Sequence, residues 1–506
     1  MRDLKIIFAF CVLLPYCIHA QTKKINIVRA DQLEYKKEVK DAQLLRGNVI
    51  MEHDGAFMYC DSAYLFLKSN SFNAYNNIKI EQGDSIKLTG DTLYYDGNKK
   101  SALIKGNVHL IEKDIQLTCS DLNYDLNNKT AYYYSRANIY STQNQNKLTS
   151  IKGAYKSKLK TLYFKDSVVL EHPNYKMTSD TLSYQTQTEI AFFSGPSIIE
   201  SNKNTIYCNK GWYDTKNEKS SFWNQATIES DKRTISGDSI FYNRTDGIGE
   251  VFRNVYLSDT IKKYQIKGDY AYHDEINDSS IVKGNAMLEQ HYEDDTLQIE
   301  SHNFISIFDS LDQQFLRSYG QVKIFKSDIQ GTCDSISYKE KDSVMELFNS
   351  PFIWSNINQV SGDYIELNYW DGNIHKMNIY NNSMVISEVD SNYYNQVKGK
   401  DMIGSFIDNK LKKIHVIGNG ETIYFLANKE NEHVIDFNKT TCSEITMLLD
   451  SNEMKVLNFT NTPNSVLKPI SSSSEEERKL KGFIWEPMQR PTKKTFTENE
   501  KLDIRR

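Results

Sequence analysis

Aspartates recur at a regular interval along the chain, and they are the first candidates for chemistry. The pattern Asp-x-(Leu/Ile)-x-Tyr begins at Asp31, Asp91, Asp180, Asp238 and Asp334. Two carboxylates placed together can serve as a general acid and base. A catalytic pair occurs once in an enzyme, however, whereas this motif is repeated and can bond nearby backbone N–H groups at chain corners. We therefore predict a structural role for these aspartates and no enzymatic activity.

Cysteine and histidine are the next candidates. The cysteines that follow the N-terminal segment are Cys60, Cys119, Cys208, Cys333 and Cys442. Cys60 and Cys333 directly precede a motif aspartate, in a slot that other copies fill with glycine, alanine or serine. Because cysteine exchanges with these small residues, we interpret the slot as a tight corner that accepts only small side chains, rather than as a redox-active or metal-binding group of cysteines. The ten histidines form no metal-binding pair. The sequence predicts no metal, no cofactor and no catalytic residue.

The motif belongs to a longer repeat. Looser copies begin at Asp61, Asp121, Asp269, Asp363 and Asp401. Successive copies are spaced by roughly 30 residues. A fixed period of this length indicates repeated units that stack on their neighbours. Within residues 85–117, polar and apolar residues alternate and turn clusters such as 96–100 reverse the chain, which is typical of antiparallel hairpins.

Glycine and asparagine in the middle of these runs predict corners that bend each hairpin. The corners are expected at Gly47-Asn48, Gly106-Asn107, Ala137-Asn138, Arg253-Asn254 and Gly284-Asn285. A stack of bent hairpins, or rungs, gives two walls. The predicted fold is all-β: an elongated, twisted antiparallel β-jellyroll, or V-shaped two-walled sandwich, built from repeats of roughly 30 residues.

Composition sets further bounds. The chain has 506 residues, of which 39% are hydrophobic and 25% charged, so neither a disordered nor a polytopic membrane protein is expected. The 32 tyrosines and 23 phenylalanines, with only 8 prolines, favour strands. The net charge of −5 argues against nucleic acid as a partner, since phosphate binding needs clustered basic residues.

The two ends differ from the repeats. Residues 1–20 are typical of a cleavable signal peptide, with Arg2 and Lys5 before an apolar stretch too short to span a bilayer. We predict export of a soluble protein, with repeats in 21–235 and in 236–460. Residues 461–506 are a polar linker and a tail with an aromatic island at 481–487. This tail is either a strap against the last rungs or a docking motif for a partner.

Two rungs carry a resemblance to a known family. Residues 30–35 with 46–49, and residues 90–96 with 105–110, resemble the OstA/LptA family of periplasmic lipopolysaccharide-transport proteins. The similarity covers most of residues 25–400. It implies a β-jellyroll that holds lipid A acyl chains and forms part of a bridge to the outer membrane. The expected function is thus lipopolysaccharide binding and transport across the periplasm, with association with the outer membrane left open. The chain is far longer than the simplest members.

The predicted lipid-binding groove follows from the energetics of acyl chains. Each buried methylene contributes about 0.8 kcal/mol, so a chain of about twelve carbons gains on the order of 10 kcal/mol from shielding. The predicted groove residues are Leu33, Val49, Leu93, Val108, Leu182, Ile240, Val255 and Ile336. The alternative is that these residues fill a closed core. Unpaired strand edges predict pairing with other bridge components, or end to end with a second copy.

A rival hypothesis is an exported parallel β-helix that acts on polysaccharide or serves as an adhesin. Such a fold has periodic strands but no hairpin turns. The turn clusters at 96–100 and 216–220 favour hairpins instead. The identity of the lipid, the direction of transfer and the oligomeric state stay open at this stage.

Overall fold

The structure is a computed structural model of the chain. It describes residues 23–35, 41–83, 86–112, 114–142, 145–293, 295–308, 313–339, 341–370, 373–408, 410–427, 433–450 and 453–494. The predicted signal peptide (1–20) and the last residues of the tail (495–506) lie outside the described residues.

The described residues form β-strands and three short 3-10 helices, with no α-helix among them, so the predicted all-β class is confirmed. The strands up to residue 201 are β1 Asn26–Arg29, β2 Gln32–Tyr35, β3 Gln43–His53, β4 Ala56–Phe66, β5 Ser71–Gln82, β6 Ile86–Asp96, β7 Ser101–Glu112, β8 Ile115–Asp125, β9 Thr130–Tyr133, β10 Ala137–Ser141, β11 Lys147–Ser150, β12 Lys152–Lys156, β13 Thr161–His172, β14 Tyr175–Gln185 and β15 Ile190–Ser201.

The later strands are β16 Thr205–Asp214, β17 Lys219–Glu229, β18 Arg233–Asn243, β19 Ile248–Asp259, β20 Tyr264–Asp274, β21 Ser279–His291, β22 Thr296–Phe308, β23 Gln314–Phe325, β24 Gln330–Lys339, β25 Val344–Phe348, β26 Phe352–Ser355, β27 Asn358–Ser361, β28 Tyr364–Trp370, β29 Asn373–Tyr380, β30 Ser383–Glu388, β31 Tyr394–Gly399, β32 Asp401–Ile407, β33 Lys410–Ala427, β34 Val434–Asp450, β35 Glu453–Thr460 and β36 Asn464–Pro469. The 3-10 helices are Ser157–Leu159, Ile470–Ser472 and Pro487–Gln489.

The chain divides into two compact units. Unit 1 comprises the residues up to Lys176 together with Thr181–Gln187. Unit 2 comprises Met177–Asp180 together with the residues from Thr188 onward. The predicted division between residues 235 and 236 falls inside unit 2, and a functional division into halves there stays a prediction.

Consecutive strands pair in antiparallel fashion within each unit. In unit 1, β3 to β8 form successive hairpin pairs, and in unit 2 the same holds for β15 to β24. A parallel β-helix would instead pair its strands in parallel. The pairing therefore excludes the rival β-helix fold.

Every second long strand carries a β-bulge near its middle. In β7, Lys105 pairs with Asp121 and Val108 with Cys119, so Gly106 and Asn107 together face one residue of β8. Gly106 and Asn107 have φ values of 75° and 46°, in the left-handed region that glycine and asparagine tolerate best. An extra residue in one strand bends it and increases its twist. These bulges are the predicted corners.

The corners expected at Gly47-Asn48, Arg253-Asn254 and Gly284-Asn285 also have positive φ at both residues. The corner expected at Ala137-Asn138 is wrong. Neither Ala137 nor Asn138 has a positive φ, and Ala137 begins β10. β9 and β10 both pair with β8, and the break between them falls earlier, at residues 134–136.

Each bulge divides its rung into two arms. The motif arm carries the Asp-x-(Leu/Ile)-x-Tyr residues, and the second arm is the part on the other side of the bulge. Val282 in the motif arm of β21 and Leu288 in its second arm belong to one cluster of buried side chains in unit 2. Both arms therefore face the same core, as expected for a two-walled sandwich.

The slot before the motif aspartate is small because it faces the core. An added Cβ at Gly90 would lie 2.4 Å from Ile104 Cγ2, and one at Gly268 would lie 2.5 Å from Val282 Cγ1. Cys60 and Cys333 occupy the same slot and are buried with free thiols. The interpretation of the cysteines as small corner residues is therefore confirmed.

Candidate functional site

One inward-facing position on every strand of the motif arm forms a continuous row in unit 2. Successive members are direct partners in the strand register, and we call them the inner row of unit 2. Its members are Phe193, Gly211, Phe222, Ile240, Val251, Ala271, Val282, Phe304, Ser318, Ile336, Leu347, Ile365, Ile379, Met402, Val416, Ile445 and Phe459. All are apolar except Ser318.

Unit 1 has a row of the same kind. The inner row of unit 1 consists of Leu33, Leu45, Ala63, Ala74, Leu93, Ile104 and Leu122. Further along, Tyr133, Gly153 and Phe164 are register partners in the same order. The row is apolar because alternation within each strand directs every second side chain inward.

The second arm contributes the residue that follows each bulge. Val49 pairs with Cys60 and Val108 with Cys119, while Val255 pairs with Gly268. Val49 and Val255 therefore stand beside the small slot that precedes a motif aspartate, and Val108 stands beside Cys119, two positions before Asp121. This pairing of a branched side chain with a small one fills the corner of the core.

Seven of the eight predicted groove residues are buried. Val49, Leu93, Val108, Val255 and Ile336 are 1% exposed, and Leu182 and Ile240 are 3% exposed. Leu33 is 49% exposed because it lies on β2, whose described pairing is with β3 alone. The structure thus places Leu33 and Leu93 in one row and Ile240 and Ile336 in the other. Whether any of them contacts lipid stays a prediction.

The inner rows contain residues that the sequence reasoning missed. In each bulged strand, the residue two positions before the bulge is a member of an inner row. Examples are Leu45, Ile104, Val251 and Val282. A sequence signal for them exists: an apolar residue stands two positions before the Gly-Asn or Arg-Asn pair. The reasoning from the sequence selected only positions after the aspartate and after the corner.

Between Val282 and Met447, the interior of unit 2 is closely packed in the part of the chain that the structure describes. The buried cluster extends from Val282 to Met447, and its members are at most 9% exposed. A cavity of about 20 Å³, close to the space that one water molecule needs, lies among Ile324, Ile353, Leu367 and neighbouring side chains. A larger apolar molecule could enter this part of the core only if the packed side chains moved apart.

Polar groups beside the apolar interiors include a neutral tyrosine in unit 1 and a paired lysine in unit 2. Burial raises the pKa of Tyr133 to about 12, and its hydroxyl lies 2.6 Å from Ser150 Oγ. Lys326 lines the cavity, and its Nζ is 3.2 Å from Asp328 Oδ2. The interior thus offers an apolar environment rather than a charged binding site.

No helix among the described residues is long and apolar enough to cross a membrane.

These features define a class of protein: an antiparallel β-jellyroll of bent rungs whose two walls enclose an apolar core. Comparison with known proteins agrees with this class. Residues 22–180 match the family described as OstA-like protein. Residues 265–372 match the family described as LptA/(LptD N-terminal domain) LPS transport protein. The two matches identify OstA/LptA-like segments in this chain and support its membership of that family.

A crystal structure of LptH, the LptA homologous periplasmic component of the lipopolysaccharide transport device of Pseudomonas aeruginosa, is also similar. Its alignment has 16% sequence identity and a TM-score of 0.20, and covers 21% of this chain and 79% of LptH. No curated protein matches the chain.

Proposed function

We propose that this protein binds lipopolysaccharide by its acyl chains and carries it across the periplasm to the outer membrane. The observation that carries the proposal is the inner row of unit 2, which continues from strand to strand from Phe193 to Phe459. A row of similar apolar positions suits a cargo that must slide, because no single position binds much more tightly than the next.

The closed core is compatible with this function on energetic grounds. When an acyl chain enters between the walls, apolar contacts between side chains are replaced by apolar contacts with the chain. The buried apolar area is then largely retained, and the hydrophobic free energy changes little. The acyl chain itself gains about 0.8 kcal/mol for each methylene that leaves water. Burial of the cargo can therefore drive the separation of the walls.

The exposed end of the inner row of unit 1 supports transfer to or from another protein. Leu33 is 49% exposed there, and Ile27, Val28 and Tyr35 on the same pair of strands are 38%, 55% and 74% exposed. Contiguous exposed apolar residues mark interaction sites. We propose that another transport component, or a second copy, pairs with this edge and extends the row.

Site-specific photo-crosslinking to lipopolysaccharide tests the function. A photoreactive residue is introduced at Leu93, Ile240 or Ile336 of the inner rows, and at Thr92 or Ser239 as matched controls on the opposite face of the same strands. The proposal expects labelled lipopolysaccharide at the inner positions and little at the controls. Equal labelling from both faces would contradict it, as would the absence of lipopolysaccharide from mass spectra of lipids that co-purify with the protein.

A further inference from the structure

In unit 2, the second arms of the rungs have an outer face, on the side away from the core. The chain's own C-terminal segment covers part of this face. We call residues 474–494 the strap. Leu480 in the strap is 2% exposed and packs in a cluster with side chains of the outer face. The other buried members of this cluster are Met384, Ile386, Ile423, Phe425 and Phe437. The strap also brings Trp485 to 5.2 Å from Tyr394, measured between ring centroids.

Four glutamines line the face under the strap, and we call them the glutamine row. Gln298, Gln330, Gln359 and Gln396 lie on β22, β24, β27 and β31. They are aligned across the sheet, because Phe325, Trp354 and Ile386 stand between them as direct register partners. The four glutamines are between 1% and 4% exposed.

Two of these glutamines bind the strap backbone through both ends of their amide groups. Gln396 Oε1 accepts from the backbone N–H of Leu480 at 2.7 Å, and Nε2 donates to the carbonyl oxygen of Arg478 at 2.8 Å. Gln359 Oε1 accepts from the N–H of Glu486 at 2.8 Å, and Nε2 donates to the carbonyl of Ile484 at 2.7 Å.

The remaining two glutamines continue the pattern toward the end of the strap. Gln298 bonds both the N–H and the carbonyl oxygen of Lys494, at 3.0 and 2.9 Å. Gln330 Oε1 instead accepts from Arg490 Nε at 2.7 Å, and so contacts a side chain. Three of four glutamines therefore recognise backbone.

Two amides of the row are also hydrogen-bonded to groups of the sheet itself. The indole N–H of Trp354 donates to Gln359 Oε1 at 3.2 Å, which orients that amide toward the strap. Gln396 Nε2 also donates to the carbonyl of Tyr394 at 3.1 Å, which orients the second amide. Side-chain amides fixed in this way offer the same donor and acceptor pair as the backbone of a neighbouring strand.

Few side chains of the strap are buried. Apart from the buried Leu480, its side chains are exposed or half-buried. When the strap leaves, the glutamine amides face water, so no polar group is left buried without a partner. The contacts are therefore those of a bound peptide rather than of an integral strand.

We propose that the glutamine row is a peptide-docking site, that the strap is its resident ligand, and that an extended peptide of the same chemistry can bind in its place. The required chemistry is backbone N–H and C=O groups at the glutamine positions, with side chains equivalent to Leu480 and Trp485 at the same spacing. This surface is separate from the apolar interior and from the strand edges, and its role does not depend on lipid binding.

The test uses the full chain and a fluorescent peptide of residues 474–494. Leu480→Asp with Trp485→Ala is expected to release the strap, seen as loss of hydrogen-exchange protection in 474–494 alone. The released variant should bind the peptide at least about tenfold more tightly than the unmodified chain, where the tethered strap competes at millimolar effective concentration. Met488→Ala is the matched control in the strap, since Met488 is 94% exposed, and should behave as the unmodified chain.

A second pair of changes tests the glutamines themselves. Gln359→Leu with Gln396→Leu in the released variant should weaken peptide binding at least about tenfold, because the backbone groups of the peptide lose their partners. Unchanged binding would overturn the proposal. So would a released variant that fails to bind the peptide, or a strap that stays protected after loss of Leu480 and Trp485.

Discussion

The Nδ2 atom of Asn107 donates a hydrogen bond to Oδ2 of Asp91 at 2.8 Å, across the corner of a rung. The same pairing joins Asn48 to Asp31, Asn77 to Asp61, and Asn285 to Asp269, at 2.8 to 2.9 Å. The motif aspartate and the corner asparagine are thus two halves of one clamp. The clamp holds the bulge that bends each rung, and this explains why the aspartate recurs.

The clamp predicts energetic coupling between Asp91 and Asn107. Asp91→Ala and Asn107→Ala should each lower the local opening free energy of β6 and β7, and the double variant should lose less than the sum. A coupling of about 0.5 to 1.5 kcal/mol is expected for one hydrogen bond. Native-state hydrogen exchange measures it. Asp91→Ala combined with Lys105→Ala, which removes an exposed neighbour outside the clamp, should be additive; equal coupling there would contradict the assignment.

Gly106 is predicted to be sensitive to substitution for a steric reason. Its φ is 75°, and an added Cβ would lie 2.3 Å from Asp91 Oδ2, so Gly106→Ala must displace the clamp as well as strain the backbone. Gly55 is the matched control, with φ 78° and no atom within 4 Å of an added Cβ. Gly55→Ala should lower the local opening free energy by about 1 kcal/mol. Gly106→Ala should lower it by distinctly more. Similar losses of local opening free energy in both variants would count against the clash.

The inner row predicts a strong dependence of unit 2 on buried isoleucine. Ile365 is 0% exposed, so Ile365→Ala should lower the local opening free energy of β25 and β28 by about 2 to 5 kcal/mol through loss of contacts and a residual cavity. Ile261 is 62% exposed, so Ile261→Ala should change the local opening free energy by less than about 0.5 kcal/mol. Hydrogen exchange measures both. Equal effects of the two substitutions would show that the inner row does not stabilise the core of unit 2.

The buried cysteines are predicted to resist alkylation in the folded protein. Burial raises the pKa of the Cys60, Cys208 and Cys333 thiols to about 12 each, from an ordinary value near 9. At about pH 8 the reactive thiolate is then on the order of a thousandfold scarcer. Iodoacetamide labelling with peptide mapping should modify them only after denaturation, whereas half-buried Cys442 should react earlier. A disulfide found without reduction would contradict the free-thiol assignment.

An ion cluster at Asp54 predicts a dependence on acid pH. Hydrogen bonds from Lys100 and Lys23 lower the pKa of Asp54 to about 2, from an ordinary value of 3.8. A lowered carboxyl pKa adds stability above pH 3.8, and this stability is lost as the pH falls toward 2. Asp54→Asn should therefore lower the unfolding temperature of unit 1 at about pH 7, and the difference should shrink near pH 2.

The control for this prediction is Asp41→Asn, which removes a carboxylate that pairs with Lys68 at a more exposed site, 51% accessible. Its effect at about pH 7 should be smaller, because exposed ion pairs contribute little. A pH-independent difference for Asp54→Asn would show that the charge is not what stabilises the cluster.

Much of one rung could be predicted from the chain alone, because it depends on neighbours in sequence. Alternation indicated the strands, turn residues indicated the hairpins, and glycine or asparagine indicated the bulges at residues such as 106–107. The small slot filled by Cys60 or Gly90 was also predictable, since exchange among small side chains indicates limited space. The corner expected at Ala137-Asn138 was misplaced because the local pattern does not decide which residues leave the pairing: the break falls at residues 134–136, whereas Arg253-Asn254 does form a bulge.

Contacts between rungs could not be predicted in the same way. Leu33 and Leu93 are equivalent by sequence, yet Leu33 is exposed because its strand has a described neighbour on one side only. The glutamine row was not predictable either: Gln298 and Lys494 are far apart in the chain, and nothing local in the sequence marks them as partners.

The sequence by itself determined the repeat, the bent hairpin and the apolar alternation, since these follow from φ preferences and from side-chain periodicity within a single rung. The tertiary structure decided which side chains form the inner rows, that the walls close on each other, and where the strap lies. Those outcomes depend on strand register and on packing between distant segments, which local preferences do not encode.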